Sequence, residues 1–167
     1  GVNRRHAAGI NRVQTPQEHD GRIALKDHVV QKASAARERH GPIVDDGAIL
    51  RVLDDREIVR YPVGIRFDAG PLQAGEFAHA VPLGEHPRQG FCLFVHPAFE
   101  RRRDLWPLLI AYHIPPINYG DIAAAEDCEL FGATLLGLCV NAYYGLLCEL
   151  SDSLPRPEGQ ATAGPPG

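Results

Sequence analysis

The chain has 167 residues, 44% of them hydrophobic, and its 17 basic and 21 acidic side chains leave a net charge of −4. This length suits one domain with enough apolar material for a core of its own. The modest negative charge does not favour nucleic acid as the main partner.

The four cysteines, Cys92, Cys128, Cys139 and Cys148, form no Cys-x-x-Cys pair. A disulfide scaffold would be shorter and denser in cysteine. We therefore expect reduced thiols in a cytoplasmic protein. The N-terminal residues also lack the continuous apolar segment of a secretory signal.

Residues 1–42 are basic, with eight Lys and Arg side chains against four acidic ones, and both lysines of the chain lie there. A thin apolar stripe predicts a helix over residues 22–39, which Gly41 and Pro42 end. We interpret 1–42 as a basic flexible arm, either a leader or an arm for an acidic partner. Binding of nucleic acid by this arm is a further alternative.

A single folded domain is expected over 43–154. Residues 48–53 are apolar except for Arg51, and apolar residues alternate with arginine, proline or glycine between Val59 and Phe67. Alternation with period two is typical of a strand that has one buried face. The pattern predicts a β-hairpin over 48–68, with Pro62 and Gly64 indicating either a sheet edge or a bulge in its second strand.

The remaining elements are predicted from turn residues and apolar spacing. They are a short helix over 72–80, a loop over 81–88, a central strand over 90–96, a helix over 104–112, a Pro115-Pro116 corner, helices over 122–136 and 141–154, and a disordered tail over 155–167. Strands followed by helices indicate an α+β fold, with a small antiparallel sheet packed by the C-terminal helices. Because a small sheet has exposed edges, we expect pairing with a second copy as a homodimer.

One apolar stretch has to be considered as a membrane span. The segment from Phe131 to Leu147 is nearly uncharged, but it is shorter than the roughly 20 residues that a spanning helix needs. It also contains three glycines and is flanked by acidic residues. We expect a helical hairpin inside the protein core and no membrane association.

A set of histidines suggests a metal site. Glu76 and His79 lie three residues apart on the predicted short helix, where they point the same way. With His86, His96 and His113 they could form a three-ligand site for zinc or iron that keeps a position open for water or substrate. This predicts a small metal-dependent enzyme, with Glu76 as ligand or general base. The alternative is that these histidines are structural or lie on the surface.

A nucleophilic cysteine is not favoured. Cys92 and His96 would share a strand face but stand about 13 Å apart, too far for a thiolate–imidazolium pair. An apolar strand also raises the pKa of a thiol. We therefore interpret Cys92 as a core residue. Glycine-rich phosphate loops and a Gly-x-Ser-x-Gly elbow are absent from the sequence.

The corner between residues 112 and 121 concentrates groups suited to recognition. It holds Tyr112, His113, Asn118, Tyr119 and Asp121 around a rigid bend. Loops that carry such groups on a stiff scaffold are common binding sites. The alternative is a plain connection between two helices whose tyrosines pack into the core. The favoured function is therefore a non-catalytic binding or accessory protein, a candidate subunit of a larger assembly, that recognises its ligand or protein partner through this corner.

Overall fold

The computed structural model describes residues 14–155 of the protein. Its α-helices are α1 (Pro16–His40), α2 (Asp46–Asp54), α3 (Trp106–Ala111), α4 (Ile114–Tyr119), α5 (Ala125–Leu136) and α6 (Val140–Asp152). Its strands are β1 (Val63–Phe67), β2 (Ala78–Pro82) and β3 (Phe91–Val95). The first part of the predicted arm and the predicted tail beyond residue 155 lie outside the described residues.

The three strands form one mixed sheet in the order β1-β3-β2. β1 runs parallel to β3, whereas β2 runs antiparallel to it, and Leu93 at the centre of β3 lies between Ile65 and Ala80. The predicted α+β class and the central strand over 90–96 are confirmed. The prediction of a purely antiparallel sheet is wrong, because β1 and β3 run parallel. From β1 the chain passes to β2, on the far side of β3, before it forms β3 between them.

The predicted hairpin over 48–68 is also wrong, because its first half is helix α2. The Asp45 carboxylate caps this helix by accepting from the amide of Ala48 at 2.8 Å. The helix buries one face, formed by Ala48, Ile49, Val52 and Leu53. In so short an apolar run, periodicity cannot distinguish a strand from a buried helix. The hydrogen bond to the capping carboxylate of Asp45 favours the helix. Of the second predicted strand, only β1 forms.

The short helix predicted over 72–80 is replaced by a turn and strand β2. Gly75 has a φ of 84°, which a continuous helix does not allow. The Glu76 carboxylate accepts from the amide of Gln73 at 2.7 Å and closes the turn. Ala78 then begins β2, which extends through Val81 and Pro82 into the predicted loop.

Helix α1 contains the helix predicted over 22–39 and is longer than predicted. Thr15 caps it, and Val29, Ala33 and Ala36 are fully buried at 0% exposure. This face packs against α5. From Pro16 to His40 the expected arm is therefore a packed layer of the fold. The small alanine side chains permit close approach of the two helices, and this makes a thin apolar stripe sufficient.

Helix α3 confirms the helix predicted near 104–112, although its first residues form a 3₁₀ turn, Arg103–Leu105. The predicted proline corner is helix α4. Pro115 and Pro116 lie in its first turn, where the missing amide hydrogens cost no helical hydrogen bond. The chain therefore turns at His113, between α3 and α4.

The two predicted C-terminal helices are confirmed as α5 and α6. Gly137, in the left-handed conformation with a φ of 71°, ends α5. Among residues 14–155, no single helix is long and apolar enough to cross a membrane. The one pair that reaches the required length together, α5 with α6, is bent by 105°.

Candidate functional site

A pocket of about 380 Å³ opens between α6, the C-terminal end of α3 and the turn that leads into β2. Its volume lies at the lower end of the range for small-molecule sites. The side chains that define it are those of Phe77, Tyr112, His113, Glu129, Tyr144 and Cys148. Two residues of the predicted recognition corner, Tyr112 and His113, thus lie on its wall.

His113 is held between aromatic rings at the turn from α3 to α4. Its ring centroid lies 5.6 Å from that of Phe77 and 5.4 Å from that of Tyr112, with both pairs edge to face. Burial lowers the pKa of His113 to about 3, and the nearby His79 contributes further. The imidazole is therefore neutral at physiological pH. Its buried Nε2 atom has no hydrogen-bond partner among the described residues.

Two tyrosines supply much of the pocket's polar character. Burial raises the pKa of Tyr112 to about 12, so its hydroxyl stays protonated. Tyr144 is half exposed at the pocket mouth, and its pKa is raised by a hydrogen bond with Cys148. Both hydroxyls are neutral donors at physiological pH, next to a wall that is otherwise largely apolar.

Acidic groups are the only charged residues on the pocket lining. They are Glu76, Glu129 and Asp152, and no lysine or arginine among residues 14–155 lines this pocket. Burial raises the pKa of Glu129, and repulsion from Glu126 adds to the effect. Within residues 14–155, no basic side chain lies within ion-pair distance of the Glu129 carboxylate, whereas Glu126 pairs with Lys26 at 2.9 Å.

The other predicted corner residues lie outside the pocket lining. The buried Asn118 amide donates to the carbonyl of Ile58 at 2.7 Å and accepts from the amide of Arg60 at 2.9 Å. The Tyr119 ring lies 5.0 Å from the Arg60 guanidinium. Asp121 is exposed in the 3₁₀ turn after α4. The corner therefore divides, with its first two residues at the pocket and the last three elsewhere.

The histidines of the predicted metal site are not brought together. His86 and His96 each cap a 3₁₀ turn, with Nδ1 accepting from the amides of Arg88 at 3.1 Å and Ala98 at 3.0 Å. The His79 ring lies 3.9 Å from the Glu76 carboxylate. In the part of the chain that the structure describes, no group of three or more histidine, cysteine or acidic side chains could hold a metal ion.

Cys92 lies in β3 and is buried, as the apolar strand predicts. Burial raises the pKa of its thiol, although Arg66 opposes the shift. The expectation of a core cysteine is confirmed.

The sequence interpretation missed the contribution of α6 to the pocket. Tyr144, Cys148 and Asp152 recur every four residues and form a second face, beside the apolar stripe that packs into the core. This spacing is visible in the sequence. Only the fold shows that this face meets Glu129 of α5 and the turn at His113.

Comparisons with protein-family models, curated proteins and solved structures gave no match. The pocket's own chemistry is consequently the basis for a function. It offers an open, largely apolar pocket, neutral hydrogen-bonding groups and one half-buried carboxylate that has no counter-ion among residues 14–155.

Proposed function

We propose that the protein is a non-catalytic binding protein whose site is the pocket beside Tyr112 and His113. The observation that carries this proposal is His113, a neutral imidazole on the pocket wall with an unpartnered buried Nε2 atom. A buried polar group without a partner costs free energy, and such groups in proteins usually call for an explanation. An apolar enclosure with a few fixed polar groups is the usual make-up of a ligand site.

The occupant we propose is a compact organic molecule with an aromatic or aliphatic body. The volume of about 380 Å³ suits a ligand of that size better than an extended peptide. A partner protein would have to reach the site with a single inserted side chain. We retain the proposals of an accessory role in a larger assembly and of a cytoplasmic location. The two outer strands, β1 and β2, support pairing with a second copy.

Binding is favoured over catalysis because two titrating groups of the pocket, His113 and Tyr112, have pKa values far from neutral pH. Proton transfer is most efficient when the pKa of the catalytic group lies near the working pH. The pKa of His113 is about 3 and that of Tyr112 about 12. The alternative of a metal-dependent enzyme around Glu76 and His79 stays a hypothesis.

The proposal is tested by titrating ¹⁵N-labelled protein with 2-phenylethanol, a neutral probe of suitable size, and following backbone amide shifts. We expect saturable shifts at amides around the pocket, such as those of Ala78 and Leu147. Ser151→Trp places an indole on the pocket lining and should abolish these shifts. Ala142→Trp adds the same ring to an exposed position of α6 away from the pocket and should not.

Saturable shifts that survive in Ser151→Trp, or shifts confined to distant residues, would contradict the proposal. The absence of any saturable shift with the neutral probe and with its charged analogues would contradict it as well.

A further inference from the structure

We infer that the pocket selects organic cations, namely an ammonium or guanidinium group carried on a compact apolar body. This inference rests on the proposed function and specifies its ligand. Three independent features of the pocket support it: an unpaired carboxylate, aromatic walls and an uncharged histidine.

The unpaired carboxylate is Glu129. It is half buried, and none of the described basic side chains lies within ion-pair distance of it. A carboxylate removed from water without a counter-ion is destabilised, and the raised pKa of Glu129 has burial as its main cause. A bound ammonium group would supply the missing charge. Glu76 and Asp152 lie on the same lining and make the electrostatic potential of the pocket more negative.

The aromatic walls are formed by Tyr112, Tyr144 and Phe77. Aromatic rings present apolar area to the body of a ligand, and their faces attract cations. The protein already uses this interaction elsewhere: the Arg103 guanidinium lies 4.3 Å from the centroid of the Trp106 ring. An anionic ligand would gain nothing from the ring faces and would meet three carboxylates.

His113 is the one residue of the described lining that could carry a positive charge, and because it is uncharged it does not repel a cation. His113 is enclosed by Phe77 and Tyr112, which leave its ring no solvent to stabilise a positive charge. A neutral imidazole has one ring nitrogen that accepts a hydrogen bond. A neutral His113 therefore adds no positive charge to the pocket lining, and its buried Nε2 atom has no hydrogen-bond partner within the described chain.

The ligand chemistry could come from two sources, a free amine or the lysine or arginine side chain of a partner protein. Both present the same charged group on a narrow apolar stem. The test includes a probe for each source, and binding of either supports the inference.

The experiment compares size-matched probes on the intact chain at pH 7. 2-Phenylethylammonium, 2-phenylethanol and phenylacetate share a benzyl body of similar size and carry a cationic, a neutral and an anionic head group, and a blocked Ala-Lys-Ala peptide represents the protein source. We expect the ammonium probe to bind about tenfold more tightly than the alcohol, as a desolvated charge pair with aromatic neighbours allows. Phenylacetate should bind most weakly.

Glu129→Gln keeps the shape of the side chain and removes its charge. It should reduce the preference for the ammonium probe over the alcohol to about threefold or less, since only the aromatic rings and the carboxylates of Glu76 and Asp152 remain. Glu149→Gln makes the same charge change at an exposed position of α6 outside the lining and should keep the preference.

Equal affinity of the unmodified protein for the ammonium probe and the alcohol would overturn the inference and leave the proposed function standing. An unchanged preference in Glu129→Gln would also overturn it. Failure of all probes to bind would instead overturn the proposed function, so the two failures are distinguishable.

Discussion

The ring of Tyr143 lies directly over the backbone of Gly132. A Cβ atom at position 132 would overlap this ring, so only glycine fits there. The ring is fixed in place, because the Tyr143 hydroxyl donates to the carbonyl of Leu108 at 2.6 Å. The Tyr143 side chain thus joins α5, α6 and α3, and α5 and α6 together supply half of the residues that line the pocket.

Gly132→Ala should lower the free energy of unfolding by about 1–3 kcal/mol, because the added methyl group overpacks a rigid buried site. Gly145→Ala is the matched control, since an added Cβ on this exposed turn of α6 meets no atom within 4 Å. It should raise the stability by up to about 1 kcal/mol through helix propensity. Urea denaturation followed by the fluorescence of Trp106 measures both. Equal effects of the two substitutions would contradict the packing described for Tyr143.

Asn118 should prove to be a structural residue. Asn118→Ala should lower the free energy of unfolding by about 2–3 kcal/mol, because it leaves the buried Ile58 carbonyl without its donor. Asp121→Asn, in the exposed turn that follows, should change the stability by less than about 0.5 kcal/mol. Binding of 2-phenylethanol to folded Asn118→Ala should be unchanged. Loss of binding with full stability would instead make Asn118 a ligand contact.

Burial of His113 predicts that stability falls in mild acid. The pKa of His113 is about 3 in the folded protein, against an ordinary value of 6.5. Between these values the unfolded chain binds a proton that the folded chain does not. His113 therefore does not reduce the free energy of unfolding above pH 6.5, and this free energy falls progressively as the pH drops from 6.5 toward 3.

His113→Gln removes this titration and keeps a polar side chain. Relative to the variant, the unmodified protein should lose about 2 kcal/mol of unfolding free energy between pH 7 and pH 5, since one pKa unit corresponds to about 1.4 kcal/mol. Carboxylates titrate in both proteins, so the comparison isolates His113. Parallel pH profiles would contradict this, because they would show that the pKa of His113 is the same in the folded and unfolded chain.

Elemental analysis of the purified protein tests the metal hypothesis. We expect metal well below one ion per chain, because His86 and His96 use Nδ1 to cap turns and are not brought together with Glu76, His79 and His113. The double variant His79→Ala/His113→Ala should show the same low content. One zinc or iron per chain, lost in the variant, would favour the enzyme hypothesis.

The sequence predicted the elements whose signals are strong and local. Strand β3 follows from an uninterrupted apolar run, and α6 from a leucine stripe with helical spacing. The strand predicted over 48–53 failed because the capping carboxylate of Asp45 resembles a turn residue until the helix behind it is known. β2 was missed because its short apolar segment follows a glycine-rich turn and its pairing with β3 is not local.

The site was only partly predictable for a similar reason. Tyr112 and His113 could be predicted as site residues because they lie beside a proline-restricted bend in the sequence. Glu129 and Cys148 look like ordinary helical positions, and only the 105° bend between α5 and α6 brings them to the same pocket. Asn118 was assigned to binding because the sequence does not reveal its buried backbone partners, which lie about 60 residues away.

The most direct test of the pocket as a ligand site uses two cysteines of the protein itself. Cys148 lines the pocket, whereas Cys139 is exposed at the start of α6 outside it. Alkylation by iodoacetamide, followed by mass spectrometry of each cysteine, reports both sites in one sample. With 2-phenylethanol at ten times its Kd, we predict that Cys148 reacts about tenfold more slowly and Cys139 at an unchanged rate. Equal rates at Cys148 with and without the probe would contradict the account.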